Sequence, residues 1–369
     1  AKISPLILLA LALLLGAFAA SALLTAATRK FSIRIGFVAR PQANRHHRSV
    51  IPLGGGIAIF LTIAAFLLAA IAIVHFLLLP GRLDFLGPAA TIHAPGFAEK
   101  TPELLIVIAS LTALFVLGLW DDKKHLGPRV KLIVQFAVAI VAAAFANVRV
   151  EFFIENHVLT SALSAFWIVL IVNAFNFLDN MDGLSAGIAA IATAILLAAA
   201  IAAGQVFVSA MALLLIGTLL GFLVFNFPPA KIFMGDAGSL VVGFLVAMLT
   251  VRTTYYQQAV SGSWYPVFMP LIVMAVPLYD FASVTFIRIS QGRSPFVGDT
   301  RHFSHRLKRR GLTDTQVVLT LYLATLCTGL SAIFLYQVNL TGAVLIFAQT
   351  AMILAIIAIF EATGKNEAT

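Results

Sequence analysis

Two adjacent aspartates, Asp121 and Asp122, end an apolar run and are followed at once by Lys123 and Lys124. A carboxylate at a helix C-terminus opposes the helix dipole by about 0.3–1 kcal/mol, and a second one beside it adds repulsion. Something must compensate them. Lys123 and Lys124 could do so at the membrane interface, or a divalent cation or a substrate proton could. Paired carboxylates beside phosphates are common magnesium ligands. A second constellation, Asn173, Asn176, Asp179, Asn180, Asp182 and Gly183, interrupts an apolar stretch. A carboxylate in the bilayer costs about 2.5–3.5 kcal/mol, so a turn that only reversed the chain would not need two of them with three amides. This cluster reads as functional.

A third constellation runs from Asn226 through Pro228, Pro229, Lys231, Phe233, Gly235 and Asp236 to Gly238 and Ser239. Pro and Gly end one helix here. Gly235 and Gly238 allow backbone N–H groups to approach a ligand. Asp236 precedes a new helix, where it is expected as the N-cap or beside a phosphate held by the first helical donors. Phe233 could pack in the membrane or stack on a flat base. The fourth constellation, Ser294 to Arg310, holds Asp299, Arg301, His302, His305 and Arg306. A lipid surface explains the basic residues. Two histidines three apart among arginines suit a phosphate or pyrophosphate, and no cysteine is near to complete a soft zinc site. Arg45, His46, His47 and Arg48, ahead of Gly54–Gly56, form a weaker fifth cluster. Asp280, inside an apolar helix, is a functional candidate by default or a partner for a neighbouring helix.

These residues need a scaffold. The 369-residue chain is 61% hydrophobic and 11% charged, where soluble domains carry about 25% charged residues. That points to one integral membrane domain spanning residues 1–369. The net charge of +9 could serve nucleic acid, anionic lipid or a phosphorylated ligand. No soluble domain is present to offer a nucleic-acid face, so lipid and phosphate lead. Cys327 has no disulfide partner and is expected to be buried and inert. Eleven runs approach the length of about 20 residues that crosses a bilayer: Pro5–Ala27, Ile51–Leu79, Glu103–Trp120, Val130–Asn147, Val158–Phe175, Ala186–Ala203, Gln205–Phe225, Ser239–Val251, Val267–Ile287, Gln316–Tyr336 and Thr341–Phe360. The first resembles a signal peptide at its end but is long enough to span, and it is read as a retained helix. The eighth is short enough to be tilted or re-entrant. The odd-numbered loops and the C-terminus hold 19 of the 24 Lys and Arg, which places the N-terminus on the periplasmic side and the C-terminus in the cytoplasm. The acidic and histidine motifs fall on the cytoplasmic side. The expected fold is all-α and polytopic, with 10 to 11 transmembrane helices.

In this order and together, Asp121-Asp122, Asn176-Phe-Leu-Asp179-Asn-Met-Asp182-Gly-Leu and Phe233-Met-Gly-Asp236-Ala-Gly-Ser resemble the polyprenyl-phosphate N-acetylhexosamine-1-phosphate transferases. The likeness extends from His47 to Leu307. It implies transfer of a sugar-1-phosphate, most readily GlcNAc-1-phosphate, from a UDP-sugar to undecaprenyl phosphate, with release of UMP and Mg²⁺ (or Mn²⁺) as cofactor. It further implies an inner-membrane enzyme among lipids, with a homodimer as one assembly. By the resemblance, Asp121, Asp122 and Asp236 serve catalysis and hold the metal. Asn176, Asp179, Asp182, Asn226, Phe233, Gly235, Arg301, His302 and His305 line the nucleotide-sugar site, and Lys131, Arg45, His47 and Arg48 meet the lipid phosphate. Gln135 matches a family glutamine. The chain departs from the family at Ser304, where a histidine is usual, at Asn44-Arg45 in place of Arg-Lys, and at Ala39 in place of Asp. The histidine loop is nearer the WecA-like branch than the MraY-type branch, which uses UDP-MurNAc-pentapeptide and carries three successive histidines. A membrane transporter is the rival of another class; it predicts ionisable residues near mid-membrane, and only Asp280 fits.

Overall fold

A segment inside lipid must satisfy every backbone polar group internally, so long apolar runs become helices. The computed structural model describes residues 5–39, 50–83, 91–149, 155–255, 263–294 and 302–362. In chain order the helices are α1 (Pro5–Arg34), α2 (Gly55–Ile73), α3 (Ala94–Glu99), α4 (Thr101–Lys124), α5 (Pro128–Phe145), α6 (His157–Leu178), α7 (Leu184–Ala202), α8 (Val206–Asn226), α9 (Gly235–Arg252), α10 (Met269–Val273), α11 (Ala275–Ser290), α12 (Phe303–Arg309), α13 (Asp314–Ile333) and α14 (Leu340–Ala362). A π-helical turn, Val74–Leu78, extends α2. Two short antiparallel strands, β1 (Val38–Ala39) and β2 (Ile51–Pro52), pair with each other. Among the described residues ten helices are long and apolar enough to cross a membrane, or eleven if the bent pair Tyr265–Val273 and Ala275–Ser290 counts as one span.

Two expectations change and one is sharpened. The short eighth run forms one continuous 18-residue helix, α9, in which Ala237 through Thr250 are all buried. Its small residues serve close packing against α2, α4, α6 and α7, because its neighbours are helices rather than lipid. The ninth run is not one straight helix but breaks by 64° between α10 and α11. Pro277 explains the break, since it lacks an N–H and its ring clashes with the carbonyl four residues back, at Val273. Cys327 is exposed rather than buried. It shares the outward face of α13 with the exposed Leu323 and Leu330.

α1 lies along α8 in a seam of small residues. Ser21 Oγ donates to the Thr218 carbonyl at 2.6 Å. A Cβ on Gly221 would sit 2.3 Å from the Phe18 carbonyl oxygen, so the two backbones meet only because that residue is glycine.

Candidate active site

The site forms where the ends of α4, α6 and α8 meet the starts of α5 and α9. Its centre is a lysine between two aspartates. Lys131 Nζ, on the first turn of α5, donates to Asp236 Oδ2 at 2.5 Å and to Asp121 Oδ2 at 3.0 Å. Asp121 Oδ1 accepts the Leu126 N–H at 2.6 Å, which closes the turn after α4. Asp236 Oδ1 accepts from Asn176 Nδ2 at 3.0 Å, and the same amide reaches Ser239 Oγ at 2.9 Å. The side chains stay partly open: relative exposure is 18% for Lys131, 12% for Asp121 and 24% for Asp236.

Asp122 turns toward α9. Its two carboxylate oxygens accept the N–H groups of Asp236 at 2.9 Å and Ala237 at 3.1 Å, and the Asp179 carboxyl lies beside the Gly235 backbone. The expected N-cap role of Asp236 is therefore filled by others. Asp122, from α4, takes two of the first donors of α9, with Asp179, at the end of α6, beside the third, where the helix dipole favours negative charge. A phosphate reaching those donors would have to displace Asp122 or Asp179. Gly235 makes the arrangement feasible. Its φ of +70° suits glycine, and a Cβ there would lie 2.7 Å from Asp122 Oδ2. Lys123 and Lys124 are exposed, and among the described residues they form no ion pair with the aspartates before them; Lys131 and the α9 backbone compensate those charges instead. Burial holds the Asp179 carboxyl well above the usual carboxylate range, and the nearby Asp236 and Asp122 push it the same way.

Other nominated residues stitch the loops together. Asp182 Oδ2 accepts the Ala230 N–H at 2.8 Å. Asn226, 3% exposed, accepts the Gly183 N–H and donates to the Ile232 carbonyl. The α6–α7 turn is thereby tied to the α8–α9 loop. Phe233 is half-buried; its backbone pairs with Pro52 and Gly55 beside β2, which carries the β1–β2 hairpin to the site's edge. Arg45, His47, Arg48 and Arg301 lie outside the described residues.

The histidine loop joins from α11 and α12. Ser304 Oγ donates to Asn180 Oδ1 at 2.6 Å. The His302 ring stands edge-on to Phe177 at 5.5 Å, and the buried Arg288 guanidinium lies 5.0 Å from the same ring. Phe177 and Arg288 were not anticipated from sequence. An arginine closing an apolar helix, and an aromatic residue between Asn176 and Asp179, were the available signals.

Asp121, Asp122, Asp179 and Asp236 present hard oxygen donors, which suit Mg²⁺ better than a thiolate-loving metal. Among the described residues no three His, Cys, Asp or Glu side chains form a ready metal cage, and an ammonium sits where Asp121 and Asp236 face each other. This fits a cation held by one or two carboxylates and completed by water and phosphate oxygens, the usual habit of Mg²⁺.

The fold and the site define a polytopic all-α membrane protein with an acidic cluster at one end of its helices. Residues 104–254 match the family described as Glycosyl transferase family 4. The chain is 30% identical over 350 residues to a probable undecaprenyl-phosphate N-acetylglucosaminyl 1-phosphate transferase of Bacillus subtilis, covering 93% of this chain and 88% of that protein. It is 28% identical over 332 residues to the undecaprenyl-phosphate alpha-N-acetylglucosaminyl 1-phosphate transferase of Salmonella typhi, covering 86% and 82%. The enzyme of that name from Escherichia coli O157:H7 is 27% identical over 312 residues, covering 80% and 76%. The chain belongs to this family of membrane-bound sugar-1-phosphate transferases.

Proposed function

We propose that the chain moves N-acetylglucosamine-1-phosphate from UDP-GlcNAc to undecaprenyl phosphate and releases UMP, starting a cell-envelope glycan at the cytoplasmic face of the inner membrane. The relatives' names support the acceptor and the group transferred, and the bias of Lys and Arg toward the motif end supports the side. An oxygen of the lipid phosphate attacks the β-phosphorus; the bond from that phosphorus to the bridging oxygen breaks, and UMP leaves with the oxygen. Such transfers depend on positioning and charge neutralisation more than on covalent help from the protein.

The observation that carries the proposal is the Asp121–Lys131–Asp236 bridge, with Asn176 holding the other oxygen of Asp236. It supports this reading because a basic group and two carboxylates meet at one end of the helices. On this reading Lys131 draws in the lipid phosphate together with Arg45, His47 and Arg48, and Asp121 or Asp122 takes its proton. Asn176, Asp179, Asp182, Asn226, Phe233 and Gly235 shape the nucleoside side, and Arg301, His302 and His305 meet the pyrophosphate. Mg²⁺ (or Mn²⁺), held by Asp236 with Asp121 or Asp122, supplies charge neutralisation on the pyrophosphate.

Purified protein is expected to release UMP only when UDP-GlcNAc, undecaprenyl phosphate and Mg²⁺ are all present, and D236N is expected to lower that rate at least about 100-fold. Turnover of UDP-MurNAc-pentapeptide but not of UDP-GlcNAc would overturn the donor assignment, and unchanged UMP release in D236N would remove Asp236 from the mechanism.

A further inference from the structure

Asp280 is a buried carboxylate that the transfer mechanism does not use. It lies on α11, is 0% exposed, and each of its oxygens has one partner. Oδ2 meets His302 Nδ1 at 2.9 Å, and Oδ1 accepts the Phe303 N–H at 3.0 Å. The second bond anchors the start of α12. The first decides which nitrogen His302 can offer: with Nδ1–H directed at a carboxylate, Nε2 is the remaining polar atom. Among the described residues nothing bonds to Nε2, which leaves that nitrogen for a partner other than them. The ring itself is fixed edge-on against Phe177, whose chain neighbours Asn176 and Asp179 belong to the aspartate cluster.

A bare structural cap would need only one oxygen and no ring. A carboxylate that holds one imidazole nitrogen while the other stays open is how proteins set the tautomer and raise the basicity of a working histidine. A carboxylate fully inside a span is also costly, and the Phe303 N–H alone could be satisfied by water at the loop.

We infer that Asp280 is a positioning residue for His302, fixing Nδ1 so that Nε2 faces an anionic oxygen of the nucleotide-sugar pyrophosphate. This rests on the function proposed above. Ser304, on the first turn of α12, bonds to Asn180, which ties the helix start next to His302 to the α6–α7 turn.

The test is a double-mutant cycle on the purified enzyme, reading UMP release and calorimetric binding of UDP-GlcNAc. D280N keeps an oxygen for the Phe303 N–H but turns an amide N–H toward His302 Nδ1, which reverses the tautomer. D280N and H302A are each expected to lower kcat/KM by roughly 10- to 100-fold, and the double variant to fall no further than H302A alone. D280E, which restores a carboxylate, is expected to recover part of the loss. UDP-GlcNAc affinity should weaken in D280N while thermal unfolding in detergent stays within about 2 °C of wild type. Additive losses, or a D280N rate within threefold of wild type, would overturn the inference. If D280N unfolds, H302A decides alone: a kcat/KM within threefold of wild type overturns it. Wild-type protein inactive with every UDP-sugar would instead count against the proposed function.

Discussion

α4 and α9 run side by side in opposite directions and carry a charge cluster at each end. At the far end Glu103 meets Lys100 at 2.8 Å and Arg252 at 3.8 Å. There one acid is shared by two cations, and the side chains are 25% to 49% exposed. At the motif end the same two helices contribute Asp121, Asp122 and Asp236, joined by Asp179, and Lys131 alone bridges two of them. At one end the acid is outnumbered by cations, and at the other four carboxylates share one lysine. Like charges held together against repulsion mark a site that waits for something positive or for a proton, whereas ion pairs at a surface add little to stability.

The sharpest way to break this contrast is at Lys131. K131M leaves Asp121 and Asp236 facing each other unpaired, and removing one partner of a largely buried pair costs about 3 kcal/mol. Unfolding in detergent should move down by several degrees without divalent cation, with part of the loss recovered at millimolar Mg²⁺ through linkage; equal unfolding curves for K131M and wild type would remove the contrast. A smaller effect is expected at Gly235. G235A forces an alanine into the left-handed region against Asp122, a strain of about 1–3 kcal/mol, so UMP release should fall at least tenfold with the protein still folded. Activity near wild type would show that Asp122 tolerates displacement from α9. The smallest effect belongs to the far end. E103Q should cost under about 1 kcal/mol and leave UMP release within twofold, and a large loss there would erase the distinction between the two ends.

The spans and the acidic motifs were legible because hydropathy reports length and a carboxylate in an apolar run is conspicuous. Partners were not. Asp122 lies 114 residues from the N–H it accepts on Asp236, and Lys131 is 105 residues from Asp236; no periodicity connects such pairs. Asp236 looked like its own helix cap because local spacing favours local partners, and tertiary packing brought two better-placed carboxylates. The break at Met274 was invisible to hydropathy, which does not see direction, although Pro277 was there to be read. Asp280 stood out as an intramembrane acid, but its partner His302 became apparent only once the loop was folded back onto α11.

The seam between α1 and α8 also bears on how the protein is made. Ser21 and Thr218 are 197 residues apart in the chain, and at about 5–20 residues per second that separation takes roughly 10 to 40 s to synthesise. Throughout that interval the small-residue face of α1 has lipid or passing helices as its only company. Assembly of this seam is therefore a wait followed by a capture: α2 can pack on α1 early, but the face that meets α8 stays unclaimed until α8 is made.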